Sequence, residues 1–388
     1  MEKINLFTVL KKYIQLINGN KNKLFSLTVE EQKEILNKFP EPKDDIERSY
    51  FQYLCQMEYN GKIKVFLLNF SSIFMIGFYL IYLSIFRNIV KTENDEAVFF
   101  VNELPKNILP SSLKEKYFSI KYSNYGNKYH INFKDIKFIY NIFKRYPLSW
   151  FFIFKIIYKI SIYSSEINNN NNNNISAVIT YAEFSYTSSI LTKYCEMYKV
   201  KHINIMHGEK LFFIRDSFFR FHEFYIWNNY YEKLFKELKA FPDQFIVEVP
   251  PSLKIEENYK IDQKIDYTYY LGAENKEELL VVYKYLKKLK NQGYIVSLRP
   301  HPRYSNISII KSIFKNVIVE DPKLIEIEKS IMRTKNAISL YSSVLNQAYY
   351  NNINIIIDDL TNIKKYKALK SLKYIMLEKD HTLLSEIS

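Results

Sequence analysis

Apolar positions recur along this chain with two periods, and the switches between them mark out its elements. Tyr267 to Leu271, Tyr294 to Leu298 and Ala337 to Leu340 are short apolar runs bounded by turn residues, the pattern of buried strands. Between the first two, Leu279, Val282, Tyr283, Leu286 and Leu289 fall at helical spacing. Asn275 and Glu278 make a capping box ahead of them, and Gly293 supplies the stop. The alternation continues with a helix near Ile307 to Phe314, a strand from Asn316 to Val319, a helix to Arg333, a helix from Ser342 and a strand from Ile353 to Ile357. It also holds upstream, where strands at Ser176 to Tyr181, His202 to Met206, Phe224 to Trp227 and Phe245 to Val249 enclose helices at Tyr186 to Tyr198 and Tyr230 to Lys239. Strands and helices in strict alternation with short connections predict α/β architecture with parallel sheets.

The first part of the chain is less regular. Leu6, Val9, Leu10, Tyr13 and Leu16 share a helical face, and Thr28 with Glu31 resembles a capping box. Val65 to Phe86 carries no charge over 22 residues, long enough to span a bilayer as one helix. Asn69, Ser71 and Ser72 interrupt it, and the reading preferred here is a strand from Lys64 to Asn69, a turn, and a core helix from Ile73. Ala97 to Val101 is a strand. Phe133 to Tyr163 is helical, basic and aromatic, with Trp150-Phe151-Phe152-Ile153-Phe154 beside Lys144, Arg145, Lys155 and Lys159. Such a helix either lies in a lipid headgroup layer or packs into the core. The asparagine tract Asn168 to Asn174 reads as an exposed loop. Pro250-Pro251 and the polar stretch to Lys264 form an interdomain linker. The expected organisation is a helical segment over 1–60, one α/β domain over 61–255 and a second over 260–388.

Charge narrows the partners. The net charge is +14, with 55 Lys and Arg against 41 Asp and Glu. The excess is spread along the chain without an arginine-rich arm or zinc-finger spacing, so nucleic acid is only one of three readings, beside an anionic membrane surface and an anionic small substrate. Two distant cysteines, Cys55 and Cys195, match no metal spacing, and no signal peptide is evident. A cytoplasmic protein, peripheral on the inner membrane face through the segment around Trp150, is the expectation.

The candidate chemistry sits at strand ends. Arg299-Pro300-His301-Pro302-Arg303 stops a strand and holds one histidine and two arginines in a stiff loop, where an open α/β sheet binds its ligands. Ser342-Ser343 follows the strand Ala337 to Leu340 at a strand-to-helix turn, which can offer hydroxyls and N–H groups to a phosphate. Glu320-Asp321 ends a strand between them. Upstream, the crossover from Ser176 to Met206 places Glu183 and His207 at one sheet edge, and Gly208 lets the backbone turn before Glu209.

In their order, His301-Pro302, Glu320 and Ser342-Ser343 resemble the motifs of bacterial GT-B sialyltransferases and related capsule glycosyltransferases. The resemblance covers about half the chain and implies two doubly wound, Rossmann-like domains facing a central cleft. It implies that His301, Ser342 and Ser343, with Arg299 and Arg303 near, hold the phosphate of a CMP-linked donor while Glu320 meets its ribose. The same Arg-Pro-His-Pro string, with His207-Gly208 upstream, also resembles the CDP-glycerol glycerophosphotransferases. The implied activity is metal-independent transfer, without further cofactor, of sialic acid or a related acidic sugar to a glycan or glycolipid such as lipooligosaccharide or capsule. Glycerol phosphate transfer, or a non-enzymatic basic binding protein, are the alternatives. Where those sialyltransferases carry an acidic-acidic-Gly motif, this chain has His207-Gly208-Glu209. The general base is therefore open among His207, Glu209 and Glu183, and His207 predicts an acidic limb of activity near the free histidine value of about 6.5.

Overall fold

The computed structural model describes residues 25–58, 60–85, 95–101, 106–124, 129–167, 175–255 and 264–387. The helical face from Leu6 to Leu16, the asparagine tract and most of the linker before Lys264 lie outside them. Among the described residues, twelve strands form two six-stranded sheets, with every strand pair parallel. The first has the order β2-β1-β3-β4-β5-β6, built from β1 (Ala97–Phe100), β2 (Ile120–Ser123), β3 (Ala177–Thr180), β4 (Lys201–Ile205), β5 (Glu223–Ile226) and β6 (Phe245–Val247). The second runs β12-β11-β10-β7-β8-β9, from β7 (Ile265–Tyr270), β8 (Val296–Arg299), β9 (Ile318–Val319), β10 (Thr334–Ser339), β11 (Asn354–Ile357) and β12 (Thr382–Leu383). These are two doubly wound α/β domains with parallel sheets, the class that the alternation predicts. Strands β1 and β3 are buried at every position, which is why they read as unbroken apolar runs.

Among the described residues, eight helices precede β7: α1 (Val29–Asn37), α2 (Asp45–Glu58), α3 (Lys62–Ile85), α4 (Ser111–Lys116), α5 (Phe133–Arg145), α6 (Trp150–Ile167), α7 (Ser188–Met197) and α8 (Asn229–Glu237). Six follow it: α9 (Lys276–Asn291), α10 (Ile307–Ile313), α11 (Ile327–Met332), α12 (Ser343–Tyr350), α13 (Ile363–Ser371) and α14 (Leu384–Ile387). The capping boxes expected from Thr28 with Glu31 and from Asn275 with Glu278 both form.

Two expectations are corrected. No strand or turn breaks Val65 to Ile85, which lies within the single helix α3. Its polar interruptions bond back into the helix: Asn69 Nδ2 donates to Val65 O at 3.0 Å, Ser71 Oγ to Leu68 O at 3.1 Å and Ser72 Oγ to Leu68 O at 2.6 Å. Asn69 Oδ1 also accepts from the Phe151 N–H at 3.1 Å, satisfying a free donor at the start of α6. The aromatic run after Trp150 is not a lipid-facing surface. Phe151, Phe152, Ile153 and Phe154 are buried, packed with Val98, Phe100 and Val178 of the first sheet. The helical stretch from Phe133 to Tyr163 is itself split into α5 and α6 around Pro147, which cannot continue a helix.

The core does not respect a boundary between the domains. Trp227, Tyr231 and Phe235 of the first share one apolar cluster with Leu345, Ala348, Tyr374 and Met376 of the second. Val29, Leu36, Phe51 and Cys55 of α1 and α2 belong to it too, so those helices are part of the packed body.

A buried ionic cluster fixes the interior of the second sheet. The Glu320 side chain, fully buried after β9, pairs with Arg299 at 3.0 Å and Arg333 at 2.7 Å and accepts from Ser330 Oγ at 2.6 Å. Arg299 also donates to Ile325 O at 2.8 Å. Removing the carboxylate strands two guanidinium groups away from water, the costly way to break a buried pair. Glu320→Ala should lose about 3–5 kcal/mol of stability in urea unfolding, read from the shift of the transition midpoint.

Candidate active site

The order of the second sheet reverses between β7 and β10, and ligands of doubly wound sheets bind beyond the strand ends at such a point. Two loops frame it. After β8, the His301 N–H donates to Ser305 Oγ at 2.8 Å, and the Arg303 N–H donates to His301 Nδ1 at 3.1 Å. With Nδ1 used as an acceptor, the neutral ring carries its proton on Nε2, as a donor. The Tyr304 ring stacks on it, with centroids 4.5 Å apart. Burial first, and the charge of Arg303 second, lower the His301 pKa and favour that neutral form. After β10, Ser342 caps α12 by accepting from the Val344 N–H at 3.2 Å, and Ser343 is exposed at the first turn. His301, Arg303, Ser342 and Ser343 follow the ends of parallel strands of one sheet.

Arg299 and Glu320 do not join them. Both expectations are corrected by the buried cluster described above: Glu320 is consumed by Arg299 and Arg333, so it is not a ribose ligand, and Arg299 is not free for phosphate. The hydrophobic pattern placed Glu320 at a strand end but carried no information about which partner would claim it.

The first sheet offers a second edge at the ends of β3 and β4. Glu183 is fully buried, accepts from Asn204 Nδ2 at 3.0 Å and pairs with Lys210 Nζ. Burial alone would raise its pKa, but the charge of Lys210, aided by His207 and these hydrogen bonds, outweighs burial and holds the carboxylate ionised. His207 lies between the Tyr181 ring, at 4.9 Å, and the Phe184 ring, at 6.4 Å. Its Nδ1 is buried without a hydrogen-bond partner. Burial, then the charges of Lys210 and Arg215, push its pKa down to about 4 against the opposing pull of Glu183. The ring is therefore neutral near pH 7, and the acidic limb it would produce falls below the 6.5 expected of a free histidine.

Glu209 has a different task. One carboxylate oxygen accepts from Tyr231 OH at 2.9 Å and from the Lys210 N–H at 3.1 Å, and the other accepts from Asn346 Nδ2 of α12. It bridges the domains, bringing the loop after β4 against the helix that Ser342 caps. The Phe212 N–H reinforces the join by donating to Leu372 O at 2.8 Å.

Several contributors were not apparent from the sequence. Gln52 and Gln56 of α2 both reach the Arg215 carbonyl, at 3.0 and 2.9 Å, while binding the carbonyls of Glu183 and Phe184 at 2.8 and 2.9 Å. They hold the ends of β3 and the loop after β4 together. Their four-residue spacing on one helical face is the only sequence signal of this. Lys210 is the partner of Glu183, and Lys365 lies 5.8 Å from the Tyr341 ring beside Ser342. Among the described residues, no group of three or more His, Cys, Asp or Glu side chains is arranged to hold a metal ion.

No family model matches the chain, and no curated protein matches it in sequence. Solved structures are similar at low identity. The calicheamicin glycosyltransferase CalG4 covers 75% of this chain and 85% of its own, at 9% identity and a TM-score of 0.44. The wall teichoic acid polymerase TagF covers 84% of this chain and 88% of its own, at 13% identity and a TM-score of 0.43. S. aureus MnaA with UDP covers 68% and 78%, at 10% identity and a TM-score of 0.41. At these scores the likeness carries nothing about activity, and the strand order stands on its own.

The Glu209 bridge generates a pH test. Burial raises its pKa to about 7, above the ordinary carboxylate value, despite the hydrogen bonds that lower it. A raised carboxylate pKa penalises the folded state as pH rises from the unfolded value through the folded one, and leaves no penalty below both. Glu209→Gln keeps the shape of the bridge and removes the ionisation. Its thermal midpoint relative to wild type should therefore rise between pH 5 and pH 8; an unchanged difference would place the carboxylate in an ordinary environment.

Proposed function

We propose that this chain is a nucleotide-dependent GT-B transferase in which His207 is the general base and the His301 and Ser342-Ser343 loops receive the donor phosphate. The observation that carries the proposal is the state of the three base candidates. Both oxygens of Glu183 are engaged by Lys210 and Asn204, and both of Glu209 by Tyr231, Lys210 and Asn346. His207 alone keeps a ring nitrogen without a partner, in its neutral form. The ionised Glu183 beside it favours the imidazolium that forms when a proton arrives. In the reaction an acceptor hydroxyl attacks, its proton passes to His207, and the bond to the nucleotide phosphate breaks. His301 Nε2–H, Arg303 and the hydroxyl and N–H groups at the start of α12 are donors for the charge left on that phosphate.

The donor proposed first is a CMP-linked sugar, sialic acid or a related acidic sugar, and the acceptor a surface glycan or glycolipid. Here the acceptor oxygen attacks the anomeric carbon and CMP departs. A second reading is favoured by one specific observation: both carboxylates are committed, leaving a histidine in a His-Gly pair as base. That is the pattern resembling the CDP-glycerol glycerophosphotransferases, in which the acceptor oxygen would attack the β-phosphorus and CMP would again leave. No metal or cofactor beyond the nucleotide donor is required by either reading, and the enzyme works on the cytoplasmic side where such donors are made.

Release of CMP from CMP-sialic acid or from CDP-glycerol, each with a glycan or polyol-phosphate acceptor, tests the proposal and separates the readings. His301→Ala and the double Ser342→Ala, Ser343→Ala change should each lose at least about tenfold in turnover, since one charge-assisted contact contributes roughly 1.5–3 kcal/mol. His207→Ala should abolish transfer while nucleotide affinity changes little, with the acidic limb of wild-type kcat/KM lying well below pH 6.5. Wild-type turnover in His207→Ala, or loss of nucleotide binding with it, would remove His207 from the role of base.

A further inference from the structure

Helix α3 is the outermost layer of the first domain. It packs on α6, which packs on the sheet, and Tyr79 OH lies 2.5 Å from Ser161 Oγ across the contact. Only Ser72 and Tyr79 of its 24 residues are buried. Phe66, Phe70, Phe74 and Phe78, spaced four apart, form a stripe of rings each more than half exposed, flanked by Ile63, Leu67, Ile81 and Ile85. Next to α3, helix α5 exposes Phe133, Ile136 and Tyr140. A cavity of about 510 Å3 opens between α3, α5 and α6, lined by apolar side chains including Leu80, Leu83, Ile139, Phe143, Trp150 and Ile157.

The exposed charge on these two helices has one sign. Helices α3 and α5 carry exposed Lys62, Lys64, Lys134, Lys137, Lys144 and Arg145, and their single acidic residue, Asp135, is buried against Ser164, Tyr194 and Tyr198. Among the described residues, Arg145 is the one of these cations paired with a carboxylate, Asp44 at 2.6 Å. A broad apolar stripe edged by lysines is complementary to an anionic bilayer, whose headgroups meet the cations while its chains take the rings. Helix α3 is also long and apolar enough to cross a membrane. Its hydrogen bonds to α6 through Asn69 and Tyr79 tie it along the body of the domain, which a crossing helix would have to leave.

We propose that the α3 and α5 face docks on the surface of a bilayer containing anionic phospholipid, and that one acyl chain of a docked lipid enters the cavity between α3, α5 and α6. The proposal is independent of which donor the transferase uses. It relocates the membrane contact from the Trp150 run, which is core, to the ring stripe of α3, with Trp150 lining the cavity behind it.

Flotation of the full chain with vesicles of phosphatidylcholine, with and without phosphatidylglycerol, tests the docking. At least tenfold stronger binding to the anionic vesicles is expected, reduced at least tenfold in Phe70→Glu, Phe74→Glu, whose rings are exposed and whose folding is checked by circular dichroism. Acyl-brominated lipid tests the cavity. The chain has two tryptophans, and Trp227 is buried in the core shared by the domains, so quenching in bound protein should be present in wild type and lost in Trp150→Phe. Equal flotation of the double variant overturns the docking, as does protein that resists alkaline carbonate and so spans the bilayer. A face that instead pairs two copies, with the double variant monomeric and still vesicle-bound, overturns it too. Binding without quenching of Trp150 overturns the entry of a chain.

Discussion

A carboxylate with no exposure to water needs compensation to stay ionised, and at the edge of the first sheet Lys210 supplies most of it to Glu183. Much of the edge follows from it. Lys210 must return to the end of β3, so the chain leaving β4 turns through Gly208, setting His207 between the Tyr181 and Phe184 rings and pointing Glu209 at the other domain. The α2 glutamines brace the same turn from behind by binding carbonyls that would otherwise be left buried without donors. A buried pair of this kind adds little net stability. Its value lies in the single arrangement it permits.

The second sheet solves the same electrostatic problem with a different stoichiometry, two arginines to one glutamate, and the difference shows in what remains for chemistry. Glu320 turns Arg299 and Arg333 inward, and the loop edge is left to His301, Arg303 and the serines. Around Glu183 a neutral histidine is left beside the pair. One edge is therefore rich in hydrogen-bond donors, and the other keeps a neutral imidazole with an unpartnered nitrogen.

Much of this was legible in the sequence where one force acts alone. Short apolar runs stopped by proline or glycine became strands, because strands buried on both faces leave no polar position to confuse the pattern. Thr28 and Asn275 became caps because the reciprocal bonds are local. Legibility failed where a residue had two possible partners. Asn69, Ser71 and Ser72 read as a break, yet each finds a carbonyl three or four residues back, and α3 runs on through them. The Trp150 run was open between core and lipid because a helix buried nearly all round has no contrasting face. Glu320 and Arg299 stand at strand ends as ligands would, but only the fold shows that Arg333 and Ser330 converge on the same carboxylate.

The ring stripe on α3 bears on how the molecule behaves in solution as a colloid. An apolar face of that size, uncovered, draws copies of the chain together, and dispersal then depends on long-range repulsion between them. The net charge of +14 supplies that repulsion over a distance set by the ionic strength. The same lysines that favour an anionic surface thus keep the free chains apart, so the charge serves solubility before it serves attachment.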